Sequence, residues 1–513
     1  MKTVRTLLLG SAAGLLAVAG AQAADMPVKA KPVEYVKICT LYGAGFYYIP
    51  GTDTCIKIGG LIRVQTEMGG GAGGVVNGSG PQMAGQARYT RDLTNDVNYR
   101  VRGVVTFDAR DQTDYGTLRS YIRAGWENTT PAATGGGTTS TSYWDRAFIQ
   151  FAGFTVGRAQ SMFDMFTYGG AYSYLNVRTS GDTGASGQNL WAYTVQFGNG
   201  VSYTLSFEDP ATRKVGTCDA TQACWAVNGG LTYDSGLTIQ GTPASQFGFR
   251  VPDIITNLRV DQAWGYAGIS TAIHDASGAY YGVNAVNNGH PADKYGWAFS
   301  ASGLLNLQGG DIIGVNFVYT KGAVGYATNS SWWQYYSNSN SRAMAWASDG
   351  IFGTGSDVEL TEAYSINAGY QHIWGAAGTF GGKWRTAVYG GYVVVNYNDR
   401  ATQLINSRLA AGACNGGVGS GTIAQFNPLA GNSCSPDFSF YQIGSRTQFN
   451  PHPLMDIGLD VVYTKINTAY SGPVNWAQNG SRPACTNSAI LGCEFSDKGT
   501  LTTMMRWQRN FYP

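Results

Sequence analysis

The chain has 513 residues, 71 of them glycine, and only 13 % are charged, against about 25 % in ordinary soluble domains. Mean hydropathy is −0.15, and past the N-terminus no uncharged apolar run reaches the ~18 residues of a membrane helix, which excludes a helical membrane protein. A hydrophobic share of 43 % argues against disorder, and a formal net charge of +2 gives no basic excess for a nucleic-acid partner.

The first element reads as a secretory signal peptide over residues 1–23. Lys2 and Arg5 precede an apolar stretch from Leu7 to Ala19, and Ala21-Gln22-Ala23 forms a small-residue cleavage site. Cleavage after Ala23 removes the two cations that make up the net charge. The remainder, 24–513, is expected to be one domain, because no linker interrupts the pattern that follows.

That pattern is alternation. From Asn98 to Asp108, one face holds Tyr99, Val101, Gly103, Val105 and Phe107, and the other Asn98, Arg100, Arg102, Val104, Thr106 and Asp108. Comparable two-faced stretches run, in chain order, over 54–68, 96–110, 117–127, 142–152, 154–160, 189–198, 201–209, 251–261, 265–274, 294–306, 311–321, 361–373, 383–397, 438–449, 454–466 and 499–512. A period of two marks half-buried strands. Short connections such as Asn199-Gly200, Gln308-Gly309-Gly310 and Pro451-His452-Pro453 interleave with long polar ones such as 69–95, 322–360 and 467–498. Strands of this kind with alternating short and long connections make an up-and-down transmembrane barrel. Trp126, Trp297, Tyr319, Trp384, Tyr392 and Trp507 suit lipid interfaces. With no membrane helix available, closure into a barrel is the one way to satisfy every backbone group in lipid. A secreted soluble β protein is the alternative.

The Gly-rich runs 69–80 and 135–137 read as loops, not phosphate cradles: Gly135-Gly136-Gly137 opens no helix and no lysine follows. Eight cysteines in an exported chain point to disulfides. Of 105 possible pairings, proximity favours Cys39 with Cys55, Cys218 with Cys224, Cys414 with Cys434, and Cys485 with Cys493.

The stretch PVEYVKICTLYGAGFYYIPGTDTCIKIGG, Pro32 to Gly60, closely resembles the start of mature porins from rhizobial and Brucella-type α-proteobacteria. The resemblance continues through YWDRAFIQFAGFTVGRAQSMFD (143–164), VPDIITNLRVDQAWG (251–265) and the ending WQRNFYP (507–513). It implies an all-β fold: a sixteen-stranded antiparallel transmembrane β-barrel, trimeric, with an inward-folded constriction loop. The expected setting is the Gram-negative outer membrane, with outer-membrane lipid and lipopolysaccharide around a homotrimer.

A barrel of sixteen strands leaves an aqueous lumen, so selectivity rests on whatever narrows it. The connection from Arg158 to about Gln188 resembles by position the third, inward-folded loop of general porins, and it offers Asp164, Asp182 and Tyr168. Arg63, Arg100, Arg102, Arg119, Arg123, Arg146 and Arg446 lie in alternating stretches and can share the lumen face, since a lipid-facing arginine at mid-bilayer costs about 2 to 4 kcal/mol. Some can instead pair with local carboxylates such as Asp92, Asp108 or Asp145. Asp164 and Asp182 are expected to face the arginines of 96–110 and 117–127, giving a transverse field.

Enzymatic chemistry has little to stand on. His274, His290, His372 and His452 are scattered without ligand spacing, and no motif pairs a serine with a base. No cofactor or metal is expected. The leading expectation is a water-filled channel for passive diffusion of ions and small hydrophilic solutes; a substrate-selective barrel for a sugar or small acidic solute is the alternative.

Overall fold

A computed structural model describes residues 37–69, 97–130, 138–166, 172–175, 179, 181–183, 187–220, 250–281, 286–328, 332–337, 341–375, 384–407, 409, 412–416, 426–476 and 493–511. The signal peptide, Tyr168, Cys224, Cys485 and the Gly-rich runs beyond Gly69 lie outside the described residues. The chain divides into two compact units, Met1–Ile56 and Lys57–Pro513.

In the first unit, Tyr47 pairs with Ile56 and Tyr48 with Cys55. Cys39 and Cys55 form a disulfide and are buried with Phe46, against which Tyr42 and Tyr48 pack. The expected tie between the N-terminal segment and the first strand is therefore present.

The second unit is a barrel. Its strands are β1 (Cys55–Met68), β2 (Val97–Thr113), β3 (Gly116–Thr129), β4 (Thr139–Phe151), β5 (Phe154–Ala159), β6 (Gln188–Gly198), β7 (Val201–Glu208) and β8 (Asp253–Gln262). They continue as β9 (Gly265–Asp275), β10 (Tyr295–Asn306), β11 (Ile312–Lys321), β12 (Glu362–Trp374), β13 (Trp384–Asn396), β14 (Phe438–His452), β15 (Met455–Asn467) and β16 (Lys498–Phe511). Each strand pairs with the next, and β16 pairs antiparallel with β1, Gly60 opposite Phe511 and Met68 opposite Thr503, which closes the cylinder. All sixteen alternating stretches of the sequence are strands at the expected places.

Short turns gather at one end. Asn199 and Gly200 join β6 to β7 with φ of 50° and 75°, the left-handed pair that a two-residue hairpin turn needs. A Cβ on Gly200 would also run into the carbonyl of Asp261. The Pro451-His452-Pro453 turn differs from expectation: Pro451 and His452 extend β14 past a register shift, and His452 pairs with Met455, so the turn proper is Pro453-Leu454.

Between β10 and β11, Asp311 fastens its turn to β12. Its Oδ1 accepts from the N–H of Ile373 at 2.8 Å, and its Oδ2 takes the hydroxyl of Tyr370 at 2.6 Å and pairs with His372 Nδ1 at 2.8 Å. Burial pushes this carboxyl up, but those bonds to its charged form prevail and hold it at about 2, below the ordinary 3.8. Their contribution is therefore complete above the ordinary value and is lost as pH falls through about 2. The Ile373 amide is expected to stay protected from hydrogen exchange at pH 4 and to open near pH 2; opening already at about pH 4 would contradict this.

The long connections at the other end carry structure of their own. The strands Trp332–Ser337, Ser341–Trp346, Gly472–Trp476, Glu494–Phe495 and Phe426–Pro428 form one small sheet, and Thr217–Asp219, Gly350–Phe352 and Glu359–Leu360 another. A short helix, α1 (Asp399–Asn406), is capped by the Asn398 side chain, which accepts from the Ala401 N–H. Trp346 stacks on Tyr397 at 5.9 Å in a buried cluster with Phe438, Tyr470 and Phe495. Cys414 and Cys434 are joined as expected; Cys218 and Cys493 are also disulfide-bonded, but the proposed mates lie outside the described residues.

The Cys414–Cys434 bond closes a loop of 20 residues, worth about 3 kcal/mol in the chain-entropy picture. No barrel strand pair depends on it. Its reduction is expected to expose this connection to protease while the unheated protein keeps its compact mobility on SDS gels.

Candidate permeation site

Alternation sorts every strand into two faces. On β1, Ile62 and Val64 are exposed on the outside, whereas Arg63, Gln65 and Glu67 point inward. On β2, Val101 and Phe107 face out and Arg100, Arg102 and Asp108 face in. The outer surface is apolar and aromatic, including Trp126, Trp297, Trp384, Tyr392 and Trp507, as a lipid-facing wall requires.

One side of the interior is an arginine wall. Arg63 Nε donates to Gln508 at 2.6 Å, and Arg102 Nη2 lies 2.5 Å from Glu127 Oε2. A bulge in β4 opposes Arg123 to Arg146 and Ala124 to Trp144, leaving Asp145 as the extra residue. Asp145 therefore turns inward to within 3.5 Å of Arg123, while Trp144 stays outside at 60 % exposure. Arg146 Nη1 donates to the Asp145 carbonyl at 2.7 Å. Arg119 is held by Asp108 at 2.9 Å, which also takes Arg110, so the local pairing with Asp108 and Asp145 weighed from sequence is realised.

Arg100 and Arg446 are more deeply buried, at 3 % and 5 % exposure, and Arg100 lies 3.9 Å from Glu127, the carboxylate that Arg102 takes. Arg100 donates twice to Gln65 Oε1, at 3.0 and 2.6 Å, and Arg446 donates to Gln371 at 2.7 Å. Both are packed into the wall and present little to open water.

The connection between β5 and β6 is held by the inner faces of other strands. Asp460 on β15 gathers it: Oδ2 accepts from the Tyr174 N–H at 2.6 Å, the Leu175 N–H at 3.2 Å and Ser173 Oγ at 2.8 Å, and Oδ1 accepts from Tyr389 OH at 2.5 Å. Tyr174 OH donates to Asp456 at 3.1 Å, and its ring is faced by Arg506 at 4.0 Å and Arg446 at 5.1 Å. Further on, Asn367 donates to the Thr179 carbonyl and Asn257 to that of Met162. Glycines make the room: a Cβ on Gly369 would come within 2.6 Å of the Tyr172 ring and one on Gly314 within 2.5 Å of Phe166. The connection that leaves the barrel at β5 is thus bonded to inward-facing residues of β8, β12, β13 and β15.

For Asp164, the structure gives a different partner from the expected arginines of β2 and β3. Asp164 Oδ1 is 2.6 Å from Arg213 Nη2, with both side chains sealed from water, and its Oδ2 accepts from Thr183 N–H and Oγ1 at 2.6 and 2.7 Å. Asp182 borders a small cavity with Asp164, Ser300, Ser302 and Asn316 of β10 and β11. A nearer cation claims Asp164, and the supply of inner-wall acids comes from the strands instead.

Sequence reasoning passed over Asp456, Asp460, Arg213 and Arg506. The first two were visible on the polar face of 454–466; only the alternation was read there, not its acids.

The family model described as "Porin subfamily" matches residues 25–493. Porin Omp2a of Brucella melitensis biotype 1 is 30 % identical over 283 residues, covering 51 % of this chain and 64 % of that protein. Porin Omp2b of Brucella suis biovar 1 is 29 % identical over 272 residues, covering 51 % and 63 %. These matches span somewhat less than two thirds of the curated relatives' length. The outer membrane channel DcaP of Acinetobacter baumannii superimposes with a TM-score of 0.55 over 90 % of this chain and 99 % of that one, at 10 % identity, which shows a shared fold.

Proposed function

Because this chain belongs to the Porin subfamily, we propose that residues 24–513, after removal of signal peptide 1–23, form a water-filled channel in the Gram-negative outer membrane for passive diffusion of ions and small hydrophilic solutes. One observation carries the reading: a closed sixteen-stranded barrel, apolar outside, whose inner face holds charged side chains. Such an interior is what a hydrated pore needs and what a packed core cannot tolerate. The connection anchored at Asp460 narrows the lumen, and the passage runs along the arginine wall of β1 to β4. Arg63, Arg102 and Arg123 are half-buried there, while the charge of Asp164 is cancelled by Arg213, which favours anions. Purified protein in a planar bilayer should give ohmic steps that scale with salt; saturation by one solute would instead favour a selective barrel, and absence of conductance overturns the proposal.

The working unit is a homotrimer. Strand β5 has six residues, or about 20 Å at ~3.3 Å per residue, short of the ~25 Å apolar band. Arg158 shares its outward face with Phe154 and Val156, a poor neighbour for lipid and a good one for a second copy. Chemical cross-linking in detergent should trap trimers, and only monomers would count against it.

A further inference from the structure

Away from the arginine wall, a second group of charges is closed off from water. Arg213, in the connection that follows β7, is 2 % exposed. Its Nη2 meets Asp164 Oδ1 at 2.6 Å, its Nη1 donates to the carbonyl of Gly181 and, at 3.3 Å, to that of Gly325, and its Cζ stands 4.6 Å over the Tyr326 ring. One side chain from one long connection thus joins two places on the inward connection to a third segment, 324–326, from the connection after β11. Tyr326 extends the tie, donating to Asp253 Oδ2 at 2.6 Å. Asp253 Oδ1 pairs with His274 Nδ1 at 2.8 Å. Asp349, 3.5 Å from His274 Nε2, accepts from the N–H groups of Val215 and Val324, each at 2.8 Å.

Burial alone would loosen the proton on Arg213; Asp164 and Tyr326 more than offset this, so the group holds its proton more firmly than usual. A pair at this depth adds little net stability over apolar residues of equal volume, whereas removing one partner strands the other charge. What the pair supplies is one geometry out of many. Asp460 fixes the inward connection near Tyr174, and Arg213 ties it ionically at Asp164.

We propose that Arg213 is a positioning residue for permeation: without lining the passage, it fixes where the inward connection lies and hence the width left open. This rests on the channel reading above. A wild-type protein that carries no current overturns that reading, so the clamp is tested by comparing variants against a conducting wild type. Arg213→Met is expected to raise open-state current variance roughly threefold or more, with visits to substates, since a locally released segment samples several positions. Its reversal potential should move modestly toward cations, since Asp164 is then left uncancelled. Asp164→Asn combined with Arg213→Met should be quieter than Arg213→Met alone, because no charge is stranded, and Arg213→Lys should fall between. Equal variance in wild type and Arg213→Met overturns the proposal. Should Arg213→Met fail to insert, Asp164→Asn removes the same ion pair from the other side, and unchanged variance there overturns it equally.

Discussion

Neutralising Arg63, Arg102 and Arg123 together, each to Gln, is expected to swing the reversal potential under a tenfold salt gradient toward cations by on the order of 10 to 20 mV, out of the ~59 mV span for a univalent ion. The direction follows from what these groups now balance. Arg102 is paired with Glu127 and Arg123 with Asp145, so their removal both deletes positive charge and releases two carboxylates into a narrow, low-dielectric-walled passage where fields are concentrated. Salt should erase the effect between about 0.1 M and about 1 M as the screening length drops from ~10 to ~3 Å. Arg100→Gln serves as the internal contrast: packed against Gln65, it should shift the potential far less. Asp164→Asn should shift it modestly the other way, toward anions, because Arg213 is then left uncancelled. A triple variant indistinguishable from wild type at 0.1 M would remove the arginine wall from the permeation path.

Asp460→Ala should free the narrow part of the lumen. Its carboxylate accepts from Ser173, Tyr174, Leu175 and Tyr389, all buried, and each buried donor left unpaired costs about 1 to 3 kcal/mol. Losing even two such bonds at that cost lowers the docked-to-undocked ratio by a factor of roughly thirty or more. The expected trace shows frequent transitions between unequal conductance levels where wild type holds one, with uptake of larger sugars into proteoliposomes increased. Asp460→Asn, which keeps one carbonyl acceptor, should be milder. A quiet Asp460→Ala channel with wild-type size exclusion would mean that other contacts hold the connection by themselves.

Strand positions were legible in the sequence because lipid on one side and water on the other force a strict period of two, and no residue on either face can slip by one without reversing its solvent. Tyr99 and Arg100, or Ile62 and Arg63, announce their faces unaided. The period fails at Asp145, where the bulge brings two successive residues inward, and the register also shifts between Gln196 and Gly198 and between Phe449 and His452; alternation cannot foresee an inserted residue. Charge pairing was legible only where partners are close in sequence or register, as for Arg119 and Asp108. Asp164 with Arg213, separated by 49 residues, and Tyr174 with Asp460, by 286, depend on how irregular connections cross a closed barrel. No periodicity reports that.

The seam between β1 and β16 carries a further consequence, for the order of events during folding. It joins Gly60 to Phe511 and Arg63 to Gln508, so the cylinder cannot shut until the last strand has been delivered. Every earlier species, however many hairpins it has zipped, keeps two open strand edges, each a template for another chain. Contacts this remote in sequence are also the slowest to form, since loop closure must come before any gain from pairing. A chain that stops short of β16 is therefore an aggregation hazard, not a smaller pore, and escape from that state depends on how fast β1 meets its partner across nearly the whole length of the polypeptide.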